Sequence, residues 1–176
     1  VIKEIPVDYS MIEAKIHDDN LVVSGLQGFN IYDISKPSNP QLIYSYRTEA
    51  AHEYQGCDFL ETDSCLYLAF ARFDRGLSIY DITNPKQPNL IKDISIQDTL
   101  VNGTALPKGL HAFRLIVKNN YIITTLAPTL NYIGTRSDIR GLWICDISNL
   151  NQIKKYAVEI PRDEFYSTMT GDPQPS

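Results

Sequence analysis

The sequence predicts an all-β fold made of about three repeated four-stranded antiparallel sheets. An internal repeat, strands that are apolar on both faces and the near absence of helical periodicity support this prediction. No stretch sustains the 3.6-residue apolar spacing of an amphipathic helix, and β-branched and aromatic residues are frequent. With 176 residues, 43% of them apolar, the chain is long enough to bury a sizeable core.

A segment that begins with glycine recurs along the chain. Residues 28–40 read GFNIYDISKPSNP and residues 76–88 read GLSIYDITNPKQP, 48 residues later. A third copy, residues 141–149, reads GLWICDISN and lacks the two prolines. The first spacing matches the roughly 40 to 50 residues of a four-stranded propeller blade. We therefore predict a β-propeller whose blades are these four-stranded sheets.

The repeat divides the single predicted domain into five segments. Residues 1–8 end a preceding blade, residues 9–48, 49–98 and 99–163 are blades, and residues 164–176 begin the next segment or form a tail. The opening VIKEIPVD resembles KYAVEIPRD at residues 155–163, the last strand of the third unit. Since about four to eight blades close a propeller, the three blades are predicted to be part of a larger propeller.

In the second unit, four strands are predicted at residues 57–60, 66–71, 77–82 and 90–94. The third strand is apolar on both faces, because Leu77 and Ile79 point one way and Tyr80 and Ile82 the other. A sheet with one wet face would alternate apolar and polar residues, whereas a blade is covered on both sides.

The third unit predicts an insertion. Its glycine follows that of the second unit by 65 residues, and the segment 126–140 is much longer than its counterparts 25–27 and 71–75. We expect residues 126–140 to form an excursion at one end of the third blade.

The other repeated residues have structural explanations. The glycine opens the third strand at a hairpin, where a positive φ is often required. Asp33, Asp81 and Asp146 are each followed two residues later by Ser or Thr, and we expect them to accept backbone N–H bonds where the strand ends. The prolines belong in the connection outside the strands.

Residues 20–40 and 65–88, with their D-I-S/T-x-P-x-x-P elements, resemble the LVIVD repeat. That family comprises bacterial and archaeal β-propellers, usually exported or attached to the cell surface. The resemblance implies a propeller fold and an extracytoplasmic location, and it supplies no catalytic motif. An outer-membrane lipoprotein subunit of a nutrient-uptake complex is one setting that it implies, with any lipid anchor outside the sequence shown.

Composition argues against several partners. The net charge is −5 and no cluster of Lys and Arg is present, so nucleic acid is not an expected ligand. No apolar run approaches the roughly 18 residues of a membrane-spanning helix. No G-x-S-x-G, P-loop or dinucleotide-binding motif occurs, so we predict no cofactor and no catalytic residues.

Three cysteines are present, and none forms the C-x-x-C pair of a zinc site. Cys57 and Cys65 flank a predicted hairpin turn at residues 61–64, where either a disulfide or two separate buried thiols is possible; we favour the thiols. The segment Asn102-Gly103-Thr104 fits both a glycosylation acceptor and a turn, and we favour the turn.

The candidate site residues are few. His17, His52 and His111 lie at different places in their units and lack metal-ligand spacing, so no metal site is predicted. Four clustered acids suggest a carboxylate pair for glycoside chemistry, although two of them lie in the predicted turn; they are Glu53, Asp58, Glu61 and Asp63. Tyr54 and Tyr132 are expected on loops, where they would form a contact surface.

Two functions remain open. The first, which we favour, is a non-catalytic binding or scaffold propeller that uses loops at one end as a rigid platform. The second is a carbohydrate- or peptide-active enzyme with a site at the propeller centre. We also expect the apolar faces of the first and last blades to be covered by a protein partner or by further chain, because a whole apolar face is costly to expose.

Overall fold

The structure is a computed structural model, and it describes residues 5, 7–50, 53–97, 99–101, 104–106, 109–128 and 140–160. The strands are β1 (Met11–His17), β2 (Asn20–Gly25), β3 (Gly28–Asp33), β4 (Gln41–Arg47), β5 (Gly56–Glu61), β6 (Leu66–Ala71), β7 (Leu77–Asp81), β8 (Asn89–Ile94), β9 (Leu100–Val101), β10 (Thr104–Ala105), β11 (Leu110–Lys118), β12 (Tyr121–Pro128), β13 (Arg140–Asp146) and β14 (Lys154–Ile160). No helix in the described part of the chain is long and apolar enough to cross a membrane.

Twelve of these strands form three four-stranded antiparallel sheets with the same simple order. Blade 1 is β1–β4, blade 2 is β5–β8 and blade 3 is β11–β14, and in each blade consecutive strands are neighbours. The predicted all-β propeller fold of four-stranded blades is therefore confirmed. The short strands β9 and β10 pair with each other between blades 2 and 3 and were not predicted.

Each blade has two faces, and both are apolar. We call the face toward the next blade the leading face and the opposite one the trailing face. The leading face of blade 1 packs on the trailing face of blade 2 through one buried cluster: Val22, Phe29, Ile31, Tyr54, Cys57, Leu68, Phe70, Tyr80 and Ile82. The stacking explains why the third strand of a blade is apolar on both sides.

The second interface repeats this arrangement. The leading face of blade 2, with Leu77 and Ile79, packs on the trailing face of blade 3, with Trp143 and Cys145. All four side chains are at most 1% exposed. The core therefore lies between the blades.

The repeated glycines occupy matching places in blades 1 and 2. Gly28 has φ 151° and Gly76 has φ 90°, backbone conformations that residues with a side chain rarely adopt. A Cβ at Gly28 would collide with the carbonyl oxygen of Tyr46, and one at Gly76 with that of Ile94. We call the end of the blades that carries these two hairpins the glycine end.

Blade 3 extends its second strand further than predicted. β12 continues to Pro128 and β13 begins at Arg140, so both ends of the predicted insertion 126–140 belong to strands. Residues 129–139 lie outside the described residues, and the excursion stays a prediction. The segments 1–4 and 164–176 also lie outside them.

The outward face of blade 3 is apolar and open. On its leading face, Tyr156 is 49% exposed and Val158 is 50% exposed. The equivalent residues of blade 1, Tyr44 and Tyr46, are half-buried against blade 2. The expected exposure of this face is therefore seen on β14, whereas Leu142 and Ile144 on β13 are half-buried.

Candidate binding surface

The first strands of the three blades, β1, β5 and β11, lie beside one another, and we call them the inner strands. The two described histidines lie at opposite ends of these strands. His17 ends β1, with its Nε2 3.8 Å from Glu61 Oε2 and its ring 5.2 Å from that of Phe59. His111 lies near the start of β11 at the glycine end. Within the described residues, no group of three His, Cys, Asp or Glu side chains could hold a metal ion. His52 lies outside those residues.

The four acids proposed for glycoside chemistry have different surroundings. Glu53 is buried in an ion pair with Arg72. Asp58 on β5 accepts a hydrogen bond of 2.8 Å from the backbone N–H of Val117. Glu61 is an exposed strand end and Asp63 an exposed turn residue. The four carboxylates therefore lie in different environments.

The repeated aspartates terminate strands, as predicted. Asp33, Asp81 and Asp146 each accept a backbone N–H bond from the residue two positions later, at 2.9, 2.9 and 3.0 Å. The hydrogen bonds from Ser35 hold the pKa of Asp33 below its usual value, and those from Ser148 do the same for the pKa of Asp146.

The prediction that Tyr54 forms an exposed contact surface is wrong. Its side chain is fully buried between blades 1 and 2, with its ring centroid 5.4 Å from that of Phe29 and 4.9 Å from that of Phe70. Its hydroxyl lies 3.1 Å from that of Tyr80, and burial raises the pKa of Tyr54. The residue enters an aromatic cluster that the linear sequence does not reveal. Tyr132 lies outside the described residues.

The cysteines are free, so the bridge is absent and the thiol interpretation is confirmed in part. Cys57 and Cys145 are buried, but Cys65 is only half-buried. Burial raises the pKa of Cys57 and that of Cys145 to about 12. The hydrogen bonds of Tyr67 and Ser64 lower the pKa of Cys65.

The segment 102–104, for which a turn was favoured over a glycosylation acceptor, lies between the strands β9 and β10, which pair antiparallel. Asn102 and Gly103 themselves lie outside the described residues.

A buried charged network holds the glycine end of blades 1 and 2 together. The Nη2 of Arg72 lies 2.6 Å from Glu53 Oε2, and its Nη1 donates to Ser78 Oγ at 2.9 Å. The same Nη1 lies 3.2 Å from Asp93 Oδ1. The backbone N–H of Glu53 donates to the carbonyl of Leu26 in the hairpin of blade 1, at 3.1 Å. The network thus fixes hairpins of two blades relative to each other.

Arg75 extends this network to the surface. Its Nη1 lies 2.7 Å from Glu53 Oε1, and its side chain is 57% exposed. The contact is an ion pair, and within the described residues Glu53 Oε1 has no hydrogen-bond partner.

An aromatic cluster lies at the glycine end between blades 2 and 3. The ring of His111 stacks on Phe73 with centroids 3.8 Å apart, and Phe113 meets Phe73 edge-on at 5.4 Å. Phe73 has φ 52° and exchanges two backbone hydrogen bonds with Ala112, of 3.1 and 2.9 Å. These two hydrogen bonds join the β6–β7 hairpin to the inner strand of blade 3, although Phe73 has an unusual backbone conformation.

His111 is a buried imidazole. It is 7% exposed, and neither ring nitrogen has a hydrogen-bond partner among the residues that the structure describes. Burial lowers the pKa of His111, and the nearby charge of Asp74 opposes that shift. Burial therefore favours the neutral form of the ring in the folded protein.

Charged side chains of the inner strands make contacts between blades, one of which joins blade 1 to blade 3. Glu13 accepts a 2.9 Å bond from the backbone N–H of Cys57 and lies 3.5 Å from Arg114. Lys15 lies 3.8 Å from Asp58. The Glu13 carboxylate thus satisfies a backbone N–H on the edge of β5, and the two ion pairs add charge contacts between blades.

Sequence reasoning missed both the Arg72 network and the His111 cluster. The sequence contains one signal for the Arg72 network: an acidic residue followed by tyrosine precedes the inner strands of blades 1 and 2, as Asp8-Tyr9 and Glu53-Tyr54. An arginine lies over each tyrosine ring, Arg47 at 4.3 Å and Arg72 at 5.3 Å. The two arginines come from different elements, so the linear repeat does not align them.

Comparison with solved structures finds distant similarity. One match is a chain of a complex described as an S. cerevisiae Dbp5 variant bound to Nup159, a Gle1 variant, IP6 and ADP. The two chains are 14% identical, the TM-score is 0.41, and the match covers 89% of this chain and 48% of that one. Another is described as the N-terminal domain of Nup159, with 15% identity and a TM-score of 0.40, covering 89% and 49%. The chain thus spans about half the length of these structures. No curated protein matches significantly.

The family comparison is more specific. A model described as the LVIVD repeat matches residues 21–48 and 66–95. These ranges run from the second to the fourth strand of blades 1 and 2 and include the glycine, the Ile-Tyr-Asp-Ile element and both prolines. The second to fourth strands of blades 1 and 2 therefore match the LVIVD repeat.

Proposed function

We propose that this chain is a non-catalytic binding or scaffold propeller whose platform is the glycine end of its blades. In this proposal the blades form a rigid base, and loops and side chains at that end contact a protein or other extracellular ligand. The proposal also places the chain outside the cytoplasm, as part of a cell-surface or outer-membrane-associated lipoprotein subunit of a larger assembly such as a nutrient-uptake complex. The match to the LVIVD repeat supports that setting, because proteins of that family are usually exported or attached to the cell surface.

The buried Glu53–Arg72 ion pair is the observation that carries the proposal. The pair holds the β6–β7 hairpin, and the backbone of Glu53 is bonded to the hairpin of blade 1 through Leu26. Arg75 is exposed on the β6–β7 hairpin and Phe73 is half-buried there. A preorganised surface loses little conformational entropy on binding, which is the physical advantage of a platform. The open apolar faces of blades 1 and 3 would be covered by a protein partner or by further chain.

The enzymatic alternative requires titratable groups that are free to react at the propeller centre. The inner-strand carboxylates of Glu13 and Asp58 are instead each engaged by a backbone N–H and a cationic side chain. These contacts favour a structural role for the two carboxylates, which supports the binding proposal.

Binding and turnover can be separated in one experiment. The purified chain would be screened on glycan and peptide arrays, and ligands that bind would be incubated with it and analysed for products. We expect binding without turnover, weakened by Phe73→Ala or Arg75→Ala and unaffected by Lys86→Ala at the opposite end. Product formation that Glu13→Gln or Asp58→Asn abolishes would favour the enzyme.

The compartment needs its own test. Proteinase treatment of intact cells that express the full-length protein would be followed by detection of the chain. Cleavage in intact cells supports a surface location, whereas protection until the cells are lysed contradicts it.

A further inference from the structure

A polar groove lies between the outer parts of blades 2 and 3. It has a volume of about 360 Å³, with Lys92 and Ser95 of blade 2 on one side and Lys155 of blade 3 on the other. Its lining comes from β8 and the residue after it, and from β14 and the connection that precedes β14. Phe73 and Arg75, which form the proposed platform at the glycine end, do not line it. The groove is therefore a separate feature of the surface.

One lysine of the groove departs from the internal repeat. Lys92 is paired with Ile79 across β7 and β8, on the leading face of blade 2. At the equivalent pairing position, blades 1 and 3 carry Tyr44 and Tyr156. Because paired residues of neighbouring strands lie on the same face of a sheet, Lys92 points toward blade 3. A charged side chain thus replaces an aromatic one at this interface.

The second lysine departs from the repeat as well. Lys155 is paired with Cys145 across β13 and β14, on the trailing face of blade 3. Blades 1 and 2 carry Leu42 and Leu90 at the equivalent position. Lys155 points toward blade 2, where its Nζ lies 3.4 Å from the carbonyl oxygen of Ser95. A charged side chain thus replaces an aliphatic one.

The two replacements occur on facing sides of one interface. Between blades 1 and 2 the same two positions are apolar, with Tyr44 on the leading face and Leu90 on the trailing face. Lys92 and Lys155 are both half-buried, and neither forms an ion pair with a carboxylate among the described residues. Two ammonium groups that line one groove repel each other, and the repulsion is stronger away from bulk water. An anion bound between them would offset this repulsion.

The acidic residue of the groove is engaged elsewhere. Asp93 follows Lys92 in β8, so its side chain points to the opposite face of the sheet. There its Oδ1 lies 3.2 Å from Nη1 of Arg72 and accepts a hydrogen bond from Oγ of Ser78. No other acid is present among the described residues that line the groove. The charge of the two lysines is therefore available to a ligand.

The connection from β13 to β14 brings polar groups to the same groove. Leu150 and Ile153 stand where the second repeat has its two prolines, and both pack against the core between blades 2 and 3. The backbone N–H groups of Asn151 and Gln152 each lie 2.9 Å from an oxygen of Asn149, which fixes the turn. Both residues line the groove and are exposed. Their side-chain amides are thus placed to bond to hydroxyl groups of a ligand.

We propose that this groove binds a small oxyanion, such as the carboxylate of an acidic sugar, between the ammonium groups of Lys92 and Lys155. The lysines supply charge-assisted hydrogen bonds to the oxyanion, and the amides of Asn151 and Gln152 supply contacts to neighbouring hydroxyl groups. The departures from the repeat then have one common purpose, because they replace an apolar contact between blades with an anion site. This site does not depend on the platform at the glycine end.

Calorimetric titration with glucuronate at constant ionic strength tests the site, with glucose as the neutral control. We expect saturable binding of glucuronate and none of glucose. Lys92→Gln and Lys155→Gln should each weaken the binding about tenfold. Lys154→Gln removes the same charge from the neighbouring exposed position of β14, which lies on the other face, and should leave the affinity unchanged. Sulfate, which carries charge without hydroxyl groups, should compete with glucuronate.

A second variant keeps the test independent of folding defects. Lys92→Tyr combined with Lys155→Leu restores the residue types of the first interface, so we expect a higher Tm than that of the unsubstituted chain in the absence of anion. Glucuronate or sulfate should raise the Tm of the unsubstituted chain and leave that of the double variant unchanged.

Three results would overturn the proposal. One is the absence of glucuronate and sulfate binding to the unsubstituted chain. Another is equal binding of glucose and glucuronate, which would show that the charge is not recognised. The third is an equal loss of affinity in Lys154→Gln and Lys92→Gln, which would show attraction to the overall charge of the protein rather than to the groove.

Discussion

Arg72 and Glu53 form a salt bridge of 2.6 Å in which both side chains are more than nine-tenths buried. Glu53 precedes the first strand of blade 2, and Arg72 follows its second strand. A buried charge without its partner is costly, whereas an apolar pair of similar volume is often tolerated. The pair therefore couples the position of the interblade connection to that of the β6–β7 hairpin.

Breaking this pair should destabilise the fold. We expect Arg72→Met or Glu53→Leu alone to lower the free energy of unfolding by roughly 3–5 kcal/mol, and the double variant to lose less than the sum. Urea unfolding followed by the fluorescence of the buried Trp143 measures both. Arg75→Met, which removes the exposed partner, should cost about 1 kcal/mol or less. Additive losses would show that the two charges are not coupled.

The two repeated glycines should be intolerant of a side chain. Gly28→Ala and Gly76→Ala each place a Cβ against a backbone carbonyl at a positive φ, so we expect both to lower the free energy of unfolding by more than about 1 kcal/mol. Ser38→Ala, at an exposed site, is the control and should change it by less than about 0.5 kcal/mol. A neutral result at Gly76 would contradict its proposed equivalence to Gly28.

His111 should make stability depend on pH. Its pKa is lower in the folded chain than the usual 6.5, so the unfolded chain binds a proton first as the pH falls. The contribution of the neutral imidazole is complete above about pH 6.5 and is lost progressively below it, toward the folded pKa. His111→Phe, which retains an aromatic ring on Phe73, should flatten the unfolding free energy across this range. His17→Gln is the control, and an unchanged slope in His111→Phe would refute the assignment.

The three thiols should react very differently. With Cys65 half-buried and Cys57 and Cys145 buried with a pKa of about 12, we expect a thiol reagent to modify one cysteine per native chain and three after unfolding. Mass spectrometry counts the modified residues, and Cys65→Ser should abolish the native reaction. Only one modified cysteine in the unfolded, non-reduced chain would reveal a disulfide.

Much of the architecture was predictable because it repeats. The glycine, the apolar third strand and the aspartate recur in the sequence, and each corresponds to a local requirement: a hairpin, two covered faces and a strand end. The insertion was located only approximately, because β12 continues to Pro128 without a signal in the strand pattern. The pair of short strands β9 and β10 also escaped prediction, because two-residue strands have no detectable periodicity.

The candidate surface was less predictable. Tyr54 was expected on a loop surface because it lies between strands, yet it packs between two blades. Burial of a loop residue depends on what the neighbouring blade presents, here Phe29 and Tyr46, and these residues are distant in sequence. His111 likewise depends on Phe73, which belongs to the preceding blade.

The sequence by itself determined the all-β class, the blade length and the equivalence of residues 28–40 and 76–88, since strand periodicity and turn chemistry are local properties. Only the tertiary structure decided which face of each blade meets its neighbour, that Glu53 and Arg72 form a buried pair, and that the leading face of blade 3 is open. These relationships depend on contacts between blades. The free energies of those contacts come from burial and charge pairing between residues that are far apart in the sequence, which a linear pattern does not encode.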